Sequence, residues 1–276
     1  MVYRVHISRG WLLAVFIFCC FANLHAQALG LQGKMEEEEP LSPVIPLKTV
    51  YAPQEREFIL GFDIADSDEA LTWTTTLELE YSFYDRIEFD LELPFVARFA
   101  HDNEGEADLE SVGDKAGIGD IETGLKLKLL ESKEDAFNLA GGFGVTWPTG
   151  STSDSLGEGK TSLGPVLAFS KRLGPVSILG DVGYKRTVAT RTEEADEEVK
   201  DEFHVDGAIA YRFPIGLSPI LEINNVFNSE TIVLITPGLI YQVRDRFEIR
   251  CGVQIPVSSD KEFDWNTIFQ LLYDFG

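Results

Sequence analysis

The stretch LTWTTTLELEYSFYDRIEFDLELPFV, Leu71 to Val96, decides the fold. Leu71, Trp73, Leu77, Leu79, Tyr81 and Phe83 occupy odd positions, and Thr72, Thr74, Thr76, Glu78, Glu80 and Ser82 occupy even ones. After Tyr84-Asp85 the parity resumes: Ile87, Phe89, Leu91, Leu93 and Phe95 are apolar, and Glu88, Asp90 and Glu92 are charged. Successive side chains of a strand point to opposite faces, so the stretch reads as a hairpin with one apolar and one charged face. Wound as a helix, it would spread both kinds of side chain around the circumference. The apolar face must meet either a second protein layer or lipid.

The remainder of the chain repeats the pattern. Strand signals fall near 56–65, 71–83, 86–96, 117–130, 136–147, 161–171, 176–187, 202–213, 218–227, 232–243, 246–256 and 265–275, twelve in all, with no helix-length periodic segment. The expected connections alternate in length. Tyr84-Asp85, Glu131–Asp135, Arg172–Pro175, Pro214–Leu217 and Arg244-Asp245 are tight. Ala97–Ala116, Pro148–Lys160, Val188–Asp201 and Val257–Asp264 are longer, and most of them are acidic. An even number of strands about ten residues long, with short turns at one end and long loops at the other, describes an outer-membrane barrel. Soluble sandwiches also alternate, but nothing in them segregates loop length. Trp73, Tyr81, Phe83, Phe95, Trp147, Tyr184, Phe213, Phe227, Tyr241, Trp265, Tyr273 and Phe275 sit near strand ends on the apolar parity, as interfacial girdles require. The expected fold is therefore all-β: a single antiparallel up-and-down transmembrane β-barrel of about twelve strands, with short periplasmic turns and longer acidic extracellular loops.

The N-terminus has a different character. Arg4 and Arg9 precede the apolar run Trp11 to Phe21 and then Leu24-His25-Ala26, the layout of a secretory signal cleaved after Ala26. Phe18 is too large for a lipoprotein motif at Cys19. Residues 27–55, with Glu36 to Glu39 in a row and Pro40, Pro43, Pro46 and Pro53, read as an acidic, Pro-rich periplasmic leader extended in solvent. The barrel is expected over 56–276. Cleavage takes two of the 23 basic residues and leaves all 46 acidic ones, a net charge of −25. That balance argues against nucleic acid and against adhesion to anionic lipid through a basic patch. Only Cys251 remains, so no internal disulfide forms.

The segment Gly117-Ile118-Gly119-Asp120-Ile121-Glu122-Thr123-Gly124-Leu125-Lys126 is followed by Gly141-Gly142-Phe143-Gly144-Val145-Thr146-Trp147-Pro148-Thr149-Gly150 and by Phe169-Ser170-Lys171-Arg172-Leu173-Gly174. In order and spacing these resemble the outer-membrane transporter family named for the MetA-pathway of phenol degradation. The match is specific over about 117–187 and architectural elsewhere. The resemblance implies a barrel and a transport role without a defined substrate. The glycines themselves read as structural, permitting sharp bends between strand and loop. The stretch lacks the G-x-G-x-x-G spacing and following helix of a nucleotide site.

If the apolar parity faces lipid, the other parity lines the lumen. The lumen-lining candidates are Glu78, Glu80, Glu88, Asp90, Glu92, Glu122, Lys126, Lys128, Asp181, Lys185, His204, Asp206, Arg212, Glu222, Glu248 and Arg250. Twelve strands enclose more space than the eight whose interior side chains just fill it, so a narrow water-filled or plugged lumen is expected. The arc 71–96 is almost purely acidic, and the basic residues come from 117–130, 176–187 and 246–256. Opposed walls of this kind set up a transverse field that favours one sign of solute. Two further readings remain: a closed barrel serving as a surface binding or structural protein, its lumen charges paired, and a hydrolase at the rim through His101. Catalysis is not expected, because no G-x-S-x-G occurs and only His101 and His204 survive maturation. No cofactor is implied, and no Cys/His metal cluster is apparent, so no metal site is expected. The expected partners are the outer-membrane bilayer and a small-molecule solute; oligomeric state leaves no mark on the sequence.

Overall fold

The computed structural model describes residues 47–84, 86–101, 114–134, 136–190 and 201–276. The expected signal segment, the run Glu36–Glu39 and the acidic clusters at 102–110 and 193–198 lie outside the described residues. The strands are β1 (Arg56–Asp66), β2 (Ala70–Phe83), β3 (Ile87–Ala100), β4 (Lys115–Ile118), β5 (Ile121–Ser132), β6 (Phe137–Trp147), β7 (Lys160–Leu173), β8 (Val176–Thr190), β9 (Asp201–Tyr211), β10 (Leu217–Phe227), β11 (Thr231–Arg244), β12 (Phe247–Pro256) and β13 (Trp265–Asp274). Neighbours in sequence pair antiparallel except β4 and β5, and β1 pairs with β13 from Glu57↔Asp274 to Asp66↔Trp265, closing the sheet. β4 and β5 both pair with β3 and together form one stave broken at Gly119-Asp120. The result is a closed antiparallel barrel of twelve staves. Among the described residues closure pairs each stave on both sides, with only the short β4 at the long-loop end bonded on one side, which meets the condition for crossing hydrocarbon with strands.

The opening hairpin has the register its parity demands. Glu78↔Glu92 and Glu80↔Asp90 are directly opposite on one face, with Leu77↔Leu93 and Leu79↔Leu91 on the other. The outer face is apolar: Trp73, Phe95, Leu125, Phe143, Leu167, Ile209, Ile223 and Ile255 are all exposed. Of the expected girdle aromatics, all but Trp265 are among these exposed side chains. Near the short-turn end Tyr81 meets Phe83 edge-on (centroids 4.7 Å apart) and stacks on Phe275 (6.2 Å), while the Arg56 guanidinium lies 5.6 Å above its ring. Such pairs rigidify an aromatic belt whose rings present an apolar body and a polar edge to the interface.

Loop asymmetry holds with two departures. At one end the turns are short, down to the two-residue Gly174-Pro175, where Gly174 adopts φ +61° at no steric cost. At the other end the β3–β4, β6–β7, β8–β9 and β12–β13 connections are long, but β1–β2 and β10–β11 are tight. At the first of these Ser67 closes the turn, its N–H bonding the Ala70 carbonyl at 3.1 Å.

Candidate functional site

Residues 47–55 occupy the barrel interior. This corrects the expectation that the leader stays in solvent as far as residue 55. The segment has no regular structure of its own, so its backbone donors need outside partners. The lumen wall supplies carboxylates. Glu222, fully buried on β10, accepts the N–H of Leu47 (2.5 Å), Lys48 (3.1 Å) and Thr49 (2.9 Å) and the Thr49 hydroxyl (2.9 Å). Asp181 Oδ2 on β8 accepts Val50 N–H at 2.8 Å, and Glu88 on β3 accepts Glu55 N–H. In return Lys126 Nζ donates to the Tyr51 carbonyl (2.9 Å), and Lys48 pairs with Asp63 (3.1 Å). Leu47 and Tyr51 pack among Leu179, Ala208, Ala210, Ile220, Ile240 and Ile268, while Ala52 packs with Ala140 and Ala168. The lumen is thus not polar throughout: the β8–β13 side offers an apolar patch, and the segment covers it.

Beside the segment lies a cavity of about 410 Å³. Glu78, Glu80, Asp90 and Glu92 line it on the acidic arc, with Glu122 of β5 beside them, and Lys48, Thr49, Val50, Tyr51 and Glu55 of the segment line it too. Lys126 and Arg250 border the same space, but each is sunk into ion pairs. Lys126 Nζ lies 2.5 Å from Glu88 Oε1, with the two side chains 6% and 0% exposed. Arg250 lies 2.6 Å from Glu248 and 3.8 Å from Glu57. The expected basic wall opposite the acidic arc is therefore replaced by cations taken up by nearby carboxylates, because a buried charge needs a close partner. Lys185 does reach across, 3.7 Å from Glu122, which also accepts the Thr146 hydroxyl at 2.9 Å.

The other candidates divide. Lys128 pairs with Glu131 (3.0 Å) towards the short-turn rim, and Arg212 lies just past the end of β9, its N–H on the Pro175 carbonyl. His204 and Asp206 stand on β9 beside Asp181. His101 lies at the opposite rim, 3.1 Å from Asp66. Glu57 and Asp63 of β1 also face inward and are absent from the sequence-derived set. Buried Ile59 stands between them on the same parity and masks the polar alternation.

The Gly117 and Pro148 motifs form a clasp at the long-loop end. Asp120, at the break between β4 and β5, accepts the N–H of Gly150 (2.8 Å) through Oδ1 and that of Glu158 (2.7 Å) through Oδ2. Thr149 Oγ1 donates to the Gly119 carbonyl (2.7 Å) and accepts Ile121 N–H (3.0 Å). Gly157 lies so close that a Cβ there would come within 2.4 Å of Asp120 Oδ1. Asp154 in the same loop accepts the Ser151 hydroxyl and pairs with Lys115, which holds its carboxyl below the usual range. Bonds to a carboxylate are stronger than neutral ones, so Asp120→Ala is expected to lower unfolding stability by about 2 kcal/mol. Limited proteolysis should then cut within 148–159, where the parent protein resists.

A closed barrel with an apolar exterior band, aromatic girdles and a charged interior is a porin-like outer-membrane β-barrel. The chain belongs to the family described as "Putative MetA-pathway of phenol degradation", which matches residues 62–268. Among solved structures it is similar to the COG4313 outer membrane channel from Pseudomonas putida F1, with 14% identity, a TM-score of 0.66, and coverage of 84% of this chain and 100% of that one. It is also similar to the NanC porin, with 8% identity, a TM-score of 0.52, and coverage of 80% and 99%. At these identities the likeness is one of fold. No curated protein matches the chain at the sequence level.

Proposed function

We propose that this protein is an outer-membrane channel for small solutes, favouring cations or polar molecules, whose lumen is narrowed by its own residues 47–55. It reaches the membrane through the signal expected at 1–26. The observation that carries the reading is the cavity between the acidic arc and the segment: carboxylates crowd it, and its three cations, Lys126, Arg250 and Lys48, are already paired with Glu88, Glu248 and Asp63. A solute entering there meets net negative potential in a confined, low-dielectric space, which attracts cations and repels anions. A volume of about 410 Å³ suits small solutes only.

Selectivity tests the role of the arc. Asp90 and Glu92 line the cavity without the fully buried ion pair that holds Glu88. In planar bilayers with a salt gradient, Asp90→Lys with Glu92→Lys should move the reversal potential towards anion preference. An unchanged reversal potential would remove these residues from the permeation path.

The second reading, a closed barrel that binds a ligand or stabilises the envelope, draws on the buried pairs and the packed segment. It predicts no conductance from the parent chain or from variants that loosen residues 47–55.

A further inference from the structure

Three groups of donors among the described residues bring their ligand atoms within 4.8 Å of one another. Two consist of carboxylates alone, Glu55/Glu57/Glu80 and Glu80/Glu88/Asp90, and these carry their own cations in Lys126 and Arg250. The third, Asp181/His204/Asp206, combines an imidazole with two carboxylates, and no lysine or arginine pairs with either carboxylate among the described residues.

Register builds this third group. Asp181 of β8 stands directly opposite Asp206 of β9, and His204 lies two residues from Asp206 on the same face, opposite Gly183. A Cβ on Gly183 would fall 2.1 Å from His204 Cε1, so the imidazole lies over the glycine and reaches Asp181 only because no side chain stands there. Each carboxylate is anchored through one oxygen: Asp181 Oδ2 by Val50 N–H (2.8 Å) and Asp206 Oδ1 by Asn225 N–H (2.9 Å). Such outer hydrogen bonds orient metal ligands. Asp181 is 3% exposed, and its other oxygen, Oδ1, meets only His204, whose Nε2 stands within ion-pair distance at 3.2 Å but off the geometry of a well-formed hydrogen bond. Two ligands about 2.1 Å from a tetrahedral ion stand roughly 3.4 Å apart, close to that separation.

We propose that Asp181, His204 and Asp206 bind a divalent first-row transition metal ion, of which Zn²⁺ is the natural probe. Imidazole with carboxylate suits such ions, whereas Ca²⁺ and Mg²⁺ take oxygen ligands. The ion neutralises two adjacent carboxylates deep in the barrel and fixes β8 to β9. His204, at 30% exposure, leaves one side of the site open to the lumen for water or a passing ligand. The site does not depend on whether the barrel conducts.

The test uses the folded full chain in detergent, stripped with chelator and titrated with Zn²⁺ by calorimetry, with Co²⁺ absorption as a second readout. Heat-modifiable gel mobility confirms folding of each variant. One ion per chain is expected, with affinity falling at least a hundredfold in His204→Ala and measurably in Gly183→Ala, which keeps all three donors but displaces the ring. Glu80→Gln, which disrupts both all-carboxylate groups, should leave binding unchanged. Absence of Zn²⁺ binding by the parent chain overturns the proposal. So does binding that survives His204→Ala or is lost in Glu80→Gln.

Discussion

Glu222→Ala should raise the single-channel conductance several-fold. Glu222 is fully buried and accepts four hydrogen bonds from three consecutive residues of the lumen segment. Bonds to a charged acceptor contribute about 1.5–3 kcal/mol each, so losing even two shifts the balance between seated and displaced segment by at least about a hundredfold. The change also leaves the N–H groups of Leu47, Lys48 and Thr49 without their acceptor, which favours their move to water. Opposing it, Leu47 and Tyr51 keep their apolar contacts on the β8–β13 side. Glu222→Gln, which retains an acceptor oxygen, should fall between the parent and the alanine variant. Deleting residues 47–55 should match or exceed Glu222→Ala. A conductance unchanged by all three would mean that the segment does not restrict the path.

Lys126→Met should destabilise the barrel by about 3–5 kcal/mol, because it leaves a buried carboxylate without its partner. Glu88 is 0% exposed, and Lys126 Nζ is 2.5 Å away. Lys126 also holds the Tyr51 carbonyl, so the same change loosens the segment. Adding Glu88→Gln removes the orphaned charge yet keeps an acceptor for Glu55 N–H, and the double variant should recover more than half of the loss. Urea unfolding followed by gel mobility gives the cycle. Additive losses would show that Glu88 and Lys126 act independently.

The staves were legible because strand alternation has a period of two, and a one-residue slip would turn every Leu of the opening hairpin into the lumen. Leu77, Glu78, Leu79 and Glu80 exclude every odd slip, and the barrel adopts a register that keeps both faces consistent. The Asp120 clasp falls within recognisable motifs, although the sequence does not reveal that Asp120 bridges to Gly150 and Glu158. Residues 47–55 were not legible. Leu-Lys-Thr-Val-Tyr-Ala-Pro-Gln-Glu has no period, and the acceptors for its amides lie up to 175 residues away, at Glu222. Inward-facing Ile220, Ile240 and Ile268 were hidden for a related reason. They break the rule that polar parity faces the lumen, and they do so where the segment covers them. The grouping of Asp181 with His204 depends on the β8–β9 register, which a loop of unpatterned length does not set.

A planar-bilayer recording of the purified chain beside Glu222→Ala under the same salt gradient decides whether the barrel is a channel narrowed by residues 47–55. A small, cation-preferring conductance is expected in the parent and a several-fold larger one, still cation-preferring, in the variant. A silent membrane in both, with folding confirmed by gel mobility, would contradict the channel reading.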